Sequence, residues 1–220
     1  MGYSVAIDGP AGAGKSTIAK KVAKQLGFIY VDTGAMYRAM ALHMLRNGIS
    51  AEDAAAISAA CESADVTIEH RNGEQVVLLN GENVNGLIRT EEVGNMASAS
   101  SVNADVRKKL VSLQQKLAKK TDVIMDGRDI GTVVLPDADV KVYLTASSRV
   151  RAKRRYDELV QKGESCNLDT IEQDIIERDN RDMHREISPL RQAEDAILVD
   201  SSDMTIDEVV DKIISLTDRG

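Results

Sequence analysis

Residues that commonly build metal centres and redox sites are scarce in this sequence. Its 220 residues include two cysteines, Cys61 and Cys166, and three histidines, and no spacing among them matches a metal-binding motif. Because the chain shows no signal-peptide pattern, we expect both cysteines to be reduced thiols and the protein to be cytoplasmic. The scarcity argues against a histidine base and against Cys/His metal ligands.

Long apolar runs, aromatic residues and positive charge are also in short supply. No run approaches the roughly 20 apolar residues that cross a bilayer. Tryptophan is absent, aromatic residues make up 3% of the chain, and the formal net charge is -7. Proteins that bind nucleic acids or membrane surfaces usually present a basic surface. We therefore expect no nucleic-acid or membrane partner, and any anionic ligand must be bound by local arginines.

The glycine-rich stretch near the start of the chain is the strongest positive signal. It fits the phosphate-binding pattern G-x-x-x-x-G-K-[ST] at every fixed position and consists of Gly9, Pro10, Ala11, Gly12, Ala13, Gly14, Lys15 and Ser16, followed by Thr17. A predicted strand precedes it and a helical pattern that ends at Gly27 follows it, as the motif requires. Main-chain N–H groups would surround a phosphate, Lys15 would reach the β and γ phosphates, and Ser16 would ligate Mg²⁺. The sequence therefore predicts a nucleoside triphosphate site.

Apolar strands alternate with helical segments over most of the chain. Core strands of one sheet are predicted at Ser4–Asp8, Phe28–Asp32, Val123–Asp126, Val140–Leu144 and Ala196–Asp200. Thr205 with Glu208 forms a capping box for a last helix. Five strands separated by helices predict an α/β fold with a five-stranded parallel sheet flanked by helices.

Residues 35–101 interrupt this alternation. A helical pattern over Ala35–Asn47 carries three methionines that we expect to pack inward, Met36, Met40 and Met44. Two strand-like runs follow, Val66–Glu69 and Gln75–Leu79, with turn signals at Arg71-Asn72-Gly73 and Asn80-Gly81 that predict a small antiparallel sheet. We expect residues 35–101 to be an inserted acceptor-binding lobe on a P-loop core formed by residues 1–34 and 102–220.

A further helix is predicted after this lobe. Asn103 is the expected cap, and an apolar stripe is formed by Val106, Leu110, Leu113 and Leu117. Arg107 lies beside the stripe. The segment alone leaves open whether Arg107 is a solvated surface charge or a functional group.

Charged residues follow the strand Val123–Asp126. In P-loop proteins an acid at the end of a second core strand helps to hold Mg²⁺, which makes Asp126 the natural candidate. Arg128 and Asp129 come directly after it. Three charged groups at the carboxyl end of a strand favour a functional site over a structural turn.

Two arginine clusters lie between the last two strands. The first contains Arg149, Arg151, Lys153, Arg154 and Arg155. The second lies on a helix predicted to start at Asp169 with Glu172, where Arg178, Asp182 and Arg185 share a face. Both could be solvated faces with ion pairs such as Arg178–Asp182. Beside a triphosphate site they are better suited to hold donor and acceptor phosphates, with a short lid at about residues 156–168.

Four motifs together resemble those of bacterial cytidylate kinases, which are P-loop nucleoside monophosphate kinases. They are Gly9–Thr17, Asp32–Arg38, Asp126–Val134 and Glu177–Asp182, and the similarity extends over essentially the full chain. Many families share the P-loop, whereas the other three motifs together are specific. The resemblance implies that ATP phosphorylates CMP and dCMP with Mg²⁺, and it favours a monomer.

The resemblance also implies a role for each matched residue. Lys15, Arg128, Arg185 and Asp126 are catalytic, the P-loop and the lid residues Arg151, Arg154 and Arg155 bind ATP, and Ser16 and Asp126 hold the metal. Thr33, where family members often have serine, borders the bound CMP together with Tyr37, while Arg38, Arg128 and Arg185 hold its phosphate. Ser98, Arg107 and Asp129 read the cytosine edge, and Arg178 and Asp182 contact the sugar or the nearby phosphate. Ser100 and Ser101 are close neighbours of Ser98 and compete for its assignment.

Other interpretations stay open at the level of the sequence. The nearest is another nucleoside monophosphate kinase with UMP or AMP as the acceptor. Cytosine offers an amino donor with O2 and N3 acceptors, so an arginine and an aspartate would match it and leave unmatched groups with uracil. A P-loop switch NTPase is remote because no guanine-reading N-K-x-D motif is present. The acidic charge disfavours a nucleic-acid translocase.

Overall fold

Helices and strands alternate along the chain in the computed structural model, which describes residues 2–71 and 73–218. The strands are β1 (Ser4–Asp8), β2 (Ile29–Asp32), β3 (Val66–Arg71), β4 (Glu74–Leu79), β5 (Glu82–Asn83), β6 (Val123–Gly127), β7 (Val140–Thr145) and β8 (Ile197–Asp200). The α-helices are α1 (Lys15–Leu26), α2 (Thr33–Arg46), α3 (Ala54–Ser63), α4 (Glu91–Ser100), α5 (Ala104–Ala118), α6 (Ser148–Gln161), α7 (Leu168–His184) and α8 (Ile206–Ser215). A π-helix, Ile130–Val134, lies between β6 and β7. None of the helices within the described ranges is both long and apolar enough to span a membrane.

Five strands form one parallel sheet in the order β2-β6-β1-β7-β8. Every residue of β1 is buried, which explains why its apolar residues run on without alternation. Three strands form a separate antiparallel sheet in the order β3-β4-β5. The predicted α/β fold, with its five-stranded parallel sheet and its small antiparallel sheet, is confirmed.

The chain divides into two compact units. The first contains Ile29–Val123, and the second contains Tyr3–Phe28 together with the chain from Ile124 onward. The predicted lobe, residues 35–101, falls inside the first of these units. Its bounds stay a prediction.

Helix α2 begins two residues earlier than the sequence predicts. The Asp32 carboxylate accepts a hydrogen bond from the Ala35 main-chain N–H over 2.9 Å, so Asp32 caps the helix and Thr33 is its first residue. Met36, Met40 and Met44 are 0% exposed. Their predicted role in packing is confirmed.

The antiparallel sheet is held in register by its turns. Val66 faces Leu79 across β3 and β4, and Arg71 faces Glu74 at the other end. Asn80 and Gly81, the second predicted turn, have φ values of 51° and 82°. Two consecutive positive φ values are typical of the tight hairpin turn that Asn-Gly favours. Asn72 of the first predicted turn lies outside the described residues.

The buried face of α5 differs from the predicted stripe. Asn103 caps the helix as predicted, and Val106 and Leu110 are buried. Leu113 and Leu117 are only half-buried, and the remaining buried positions are Arg107, Gln114 and Ala118. Arg107 is 6% exposed, so the interpretation of this residue as a solvated surface charge is wrong.

Two helix ends in the second unit are capped as predicted from the sequence, and one is not. Gly27 ends α1 with φ 71°, and the Thr205–Glu208 capping box starts α8. Helix α7 is capped by Asn167, whose side chain accepts from the N–H groups of Asp169 and Thr170. The prediction that Asp169 starts this helix is therefore wrong, because Asp169 lies in its first turn.

Candidate active site

The loop between β1 and α1 has the backbone that a phosphate-binding loop requires. Gly9, Gly12 and Gly14 have φ values of 149°, 75° and 88°, which side-chain-bearing residues rarely adopt. A Cβ atom at Gly9 would lie 1.9 Å from the Leu144 carbonyl oxygen. The loop therefore depends on glycine both for its dihedral angles and for its close approach to β7.

Lys15 is the first residue of α1 and is buried. Its Nζ donates to the Pro10 carbonyl oxygen over 2.8 Å, and the residue is 6% exposed. Burial and the Arg128 cation lower the pKa of Lys15 from 10.5 to about 7, against the attraction of Asp126 and Asp8. A bound phosphate would stabilise the charged form of this amine.

Ser16 and Asp126 come together at the start of α1. The Ser16 hydroxyl donates to Asp126 Oδ2 over 2.9 Å, and Asp126 is 5% exposed. Both offer the oxygen ligands that Mg²⁺ prefers. No group of three or more His, Cys, Asp or Glu side chains suited to a metal occurs in the described ranges. The pair fits a magnesium ion that takes its remaining ligands from phosphate and water, as Mg²⁺ commonly does.

Arg128 follows β6 and pairs with a residue of α7. Its Nε donates to Asp182 Oδ2 over 2.9 Å. The Arg178–Asp182 ion pair, which belonged to the alternative of a solvated helix face, does not form, because Asp182 pairs with Arg128. Arg178 Nε is buried and has no hydrogen-bond partner among the described residues, and burial together with the Arg128 charge lowers the Arg178 pKa. The Arg178 guanidinium therefore keeps a buried N–H donor that no described protein group uses.

The arginines assigned to the lid lie on α6 in three different environments. Arg151 is 5% exposed, forms an ion pair with Asp179 at 2.6 Å and donates to the Ala11 carbonyl oxygen of the P-loop over 2.9 Å. Arg154 donates to the Ser201 carbonyl oxygen over 2.9 Å. Arg155 is exposed and lies 3.4 Å from Glu158. Arg151 thus braces the P-loop.

Arg185 and Asp129 each lie directly next to the end of a helix. Arg185 directly follows α7, and its Nε donates to the Ser188 carbonyl oxygen over 2.5 Å. Asp129 is 5% exposed and directly precedes the π-helix. The shared helix face predicted for Arg178, Asp182 and Arg185 therefore ends one residue early, because α7 stops at His184.

The first unit brings together two more of the predicted residues. The Arg107 guanidinium carbon lies 5.9 Å from the centre of the Tyr37 ring, within reach of a cation–π interaction. Arg38 Nη1 donates to the carbonyl oxygens of Ile88 and Thr90 over 3.1 and 3.3 Å. Thr33 is 3% exposed at the start of α2. These side chains are held by α2, α5 and the segment before α4.

Ser98 differs from its two neighbouring serines. The Ser100 hydroxyl donates to the Met96 carbonyl oxygen, and the Ser101 hydroxyl donates to the Ser98 carbonyl oxygen, both over 2.8 Å. In the described part of the chain no hydrogen bond uses the half-buried Ser98 hydroxyl. Ser98 is therefore the serine of this group whose hydroxyl is available to a ligand.

Sequence reasoning assigned no role to three acids that organise these surroundings. They are Asp8, which accepts from the N–H groups of Ile130 and Gly131, Asp32, which pairs with Arg89 at 2.6 Å, and Asp179, which pairs with Arg151. Asp8 and Asp32 each end an apolar strand, and a polar residue at that edge of a parallel sheet is a recognisable signal. Asp179 carries no such signal in the sequence.

Comparisons with known proteins show which family and fold this chain resembles. The sequence model of the family described as Cytidylate kinase matches residues 5–219. The chain is 52% identical over 213 residues to a cytidylate kinase from Caldicellulosiruptor bescii, covering 97% of this chain and 94% of that one. It is 48% identical over 215 residues to a cytidylate kinase from Shouchella clausii, covering 98% and 96%. Among solved structures, an uncharacterised protein from Eubacterium ventriosum has a similar fold, with a TM-score of 0.51 and 16% identity over 98% of this chain and 97% of that one.

Proposed function

The chain belongs to the cytidylate kinase family, and from that premise we propose which of its residues transfer the γ-phosphoryl group of ATP to CMP and dCMP. The products of the reaction are CDP and dCDP. The buried Lys15 beside the Ser16–Asp126 pair is the observation that carries the donor half of the proposal. The acceptor half rests on residues that match the family motifs.

The donor nucleotide is assigned to the P-loop. Its main-chain N–H groups, from Gly9 to Thr17, and the positive end of the α1 dipole bind the phosphates. Lys15 neutralises the β and γ phosphates. Ser16 and Asp126 hold Mg²⁺, which when bound neutralises charge on the phosphates. Arg151, Arg154 and Arg155 are assigned to ATP and lie on α6, which leads into the proposed lid at residues 156–168.

The acceptor nucleotide is assigned to residues of three matched motifs, to Ser98 of the inserted lobe (residues 35–101), and to Arg107 and Arg185. Thr33 and Tyr37 border the CMP, and its phosphate is bound by Arg38, Arg128 and Arg185. The cytosine edge is read by Ser98, Arg107 and Asp129, which supply a hydroxyl, a donor fork and an acceptor. Arg178 and Asp182 contact the sugar or the nearby phosphate. The unpartnered Nε of Arg178 supports its assignment to an anionic ligand.

Catalysis by these groups needs no separate general base. The acceptor phosphate is already anionic at neutral pH, so the enzyme must bring two anions together and neutralise the charge that develops between them. Lys15, Arg128 and Arg185 supply positive charge for this purpose. We also propose that the enzyme is a monomer, as the family resemblance favours, and that it works in the cytoplasm, since its substrates are soluble nucleotides.

A coupled assay with one acceptor at a time tests the proposed specificity. With ATP and Mg²⁺, we expect CMP and dCMP to be phosphorylated with a kcat/KM at least about a hundredfold above that for UMP or AMP, because a mismatched base leaves buried polar groups unpaired. A preference for UMP or AMP would contradict the cytosine-reading assignment. ATP hydrolysis that is independent of every acceptor would indicate a P-loop switch instead.

A further inference from the structure

A buried carboxylate lies between the P-loop and the segment that carries Arg128 and Asp129. Asp8 is the last residue of β1, directly before Gly9, and is 5% exposed. None of the roles proposed above uses it. A buried acid in an otherwise apolar strand calls for an explanation, because an ionised carboxylate is costly to remove from water.

The Asp8 carboxylate binds two consecutive main-chain N–H groups. Oδ1 accepts from Ile130 N over 2.8 Å, and Oδ2 accepts from Gly131 N over 2.7 Å. These amides open the π-helix, where the first N–H groups have no partner within the helix itself. Asp129, at the cap position, makes no capping hydrogen bond with its side chain. Asp8, at the end of β1, therefore caps the π-helix that follows β6.

The two hydrogen bonds fix the residues that precede the π-helix. Strand β6 ends at Gly127, and Asp8 binds the chain again from Ile130. Only Arg128 and Asp129 lie between these two anchors, so the backbone that aims both side chains is held at each end. Packing at the second anchor is close, since a Cβ atom at Gly131 would lie 3.4 Å from Asp8 Oδ2 and 3.2 Å from Lys141 Cδ.

The chemistry of the cap requires a carboxylate. Each oxygen accepts one of two adjacent N–H groups, whereas the amide of an asparagine would place its own NH₂ group against one of them. Burial raises the pKa of Asp8 from 3.8 to about 6, the two N–H groups and Lys15 oppose that rise, and Asp129 adds to it. Among the described residues, the two N–H groups and the charge of Lys15 are what favours the ionised form of Asp8.

We propose that Asp8 is a positioning residue for phosphoryl transfer, which acts through the N–H groups of Ile130 and Gly131 to aim Arg128 and Asp129 at the acceptor nucleotide. The inference rests on the roles proposed for those two residues. Asp8 would thereby connect β1, which leads into the P-loop, with the Arg128–Asp129 segment, which is proposed to bind the acceptor. Loss of the carboxylate would therefore affect acceptor selection more than ATP binding.

The variant Asp8→Asn tests this role against a matched control. Asp139 accepts from the Ser4 main-chain N–H over 2.7 Å at the opposite end of β1, so Asp139→Asn makes the same carboxylate-to-amide change at a carboxylate that binds the same strand through only one oxygen. In Asp8→Asn we expect kcat/KM for CMP to fall at least tenfold and the ratio of kcat/KM for CMP to that for UMP to fall at least fivefold. The Kd for ATP, measured by calorimetry, should stay within twofold. Asp139→Asn should change none of these values.

A second variant keeps the test decisive if Asp8→Asn folds poorly. Gly131→Ala leaves the carboxylate in place but adds a methyl group 3.2 Å from Lys141 Cδ and in contact with Asp8 Oδ2 at 3.4 Å, so it perturbs the packing of the second anchor and should lower the CMP-to-UMP ratio in the same direction. An unchanged ratio in a folded Asp8→Asn or Gly131→Ala protein would overturn the inference, as would a loss of ATP affinity equal to the loss for CMP.

Asp129→Ala separates failure of the inference from failure of the proposed function. If Asp129→Ala lowers the CMP-to-UMP ratio and Asp8→Asn does not, the inference fails alone. If Asp129→Ala leaves the ratio unchanged, the base-reading role of Asp129 fails and the inference fails with it.

Discussion

The Ser16 hydroxyl donates to the Asp126 carboxylate over 2.9 Å, so the first turn of α1 and the end of β6 share one pair of oxygen ligands. The proposed magnesium site depends on this pair. In Asp126→Asn we expect the affinity for ADP in the presence of Mg²⁺ to fall about tenfold, because one anionic ligand is lost. The affinity for ADP with EDTA should change less than twofold, as measured by calorimetry.

Asp207→Asn is a suitable control for this change in charge. Asp207 forms an exposed ion pair with Lys21, with side-chain exposures of 82% and 48%, and lies on α8. The control should leave both affinities unchanged, since exposed pairs contribute little. Equal losses of ADP affinity with and without Mg²⁺ in Asp126→Asn would contradict the assigned metal ligand.

The lowered pKa of Lys15 predicts that ATP binding takes up a proton. In the free protein this pKa is about 7, so a large part of the amine is neutral at pH 8. The triphosphate favours the ammonium form and raises the pKa again, so binding above pH 7 is accompanied by uptake of up to one proton at Lys15. The affinity for ATP should therefore weaken as pH rises from 7 to 9.

Calorimetry in two buffers of different ionisation enthalpy measures this uptake directly. At pH 8 the observed binding enthalpy should depend on the buffer in the wild type and much less in Lys15→Ala. Proton uptake that is equal in the two proteins would show that another group binds the proton.

The Arg38 guanidinium packs against Gly94, which lies inside α4. A Cβ atom at Gly94 would lie 3.0 Å from Arg38 Nη1 and 3.1 Å from Nη2. In Gly94→Ala we expect the free energy of unfolding to stay constant or rise by up to about 1 kcal/mol, because alanine is the better helix former. The KM for CMP should rise threefold or more as Arg38 is displaced from the Ile88 and Thr90 carbonyl oxygens.

Gly86→Ala provides the control within the same segment of the chain. A Cβ atom at Gly86 would have open space around it, so this variant should leave the KM for CMP unchanged. An unchanged KM in Gly94→Ala, measured by steady-state kinetics with ATP saturating, would remove Arg38 from the acceptor site.

The raised pKa of Asp8 predicts a pH-dependent difference between the wild type and Asp8→Asn. The folded-state pKa is about 6 and the model-peptide value is 3.8, so the folded protein binds the proton more tightly and its stability relative to the variant falls as pH rises through this range. Lys15 on α1, Asp129 before the π-helix and Lys141 on β7 are the charged groups nearby. Between pH 4.5 and 7 we expect the wild type to lose about 2 kcal/mol relative to Asp8→Asn.

Urea unfolding at a series of pH values measures this difference. A difference in the free energy of unfolding that is constant with pH would show that Asp8 titrates near its ordinary pKa in the folded protein.

Much of the fold could be predicted from the sequence because its signals are local. Apolar runs such as Ser4–Asp8 predict the strands of the parallel sheet, although burial varies: every residue of β1 is buried, whereas the edge strand β8 buries only Val199 among its four residues. The glycines of the P-loop have few alternatives at positive φ. The pairs Asn80-Gly81 and Thr205–Glu208 likewise identify a turn and a cap through contacts of only two to four residues. These predictions are confirmed.

The predictions that failed on ion-pair partners and on buried helix faces depend on tertiary structure. Asp182 has an arginine one turn away on its own helix, yet it pairs with Arg128, which is 54 residues distant in sequence. The buried face of α5 includes Arg107 and Gln114, because what is buried depends on the neighbouring helices and not on the period alone. The π-helix at Ile130–Val134 has no sequence signal of its own and is stabilised by Asp8 from β1.

The P-loop amine offers the most direct test that this chain transfers phosphate from the proposed donor site. In Lys15→Ala, kcat for CMP phosphorylation should fall at least about a thousandfold, because a buried cation is lost from the developing charge of the transition state. The Kd for CMP alone, measured by calorimetry, should stay within threefold of the wild-type value, since none of the residues assigned to CMP is changed. Retention of more than a tenth of the wild-type kcat in Lys15→Ala would contradict the proposed mechanism.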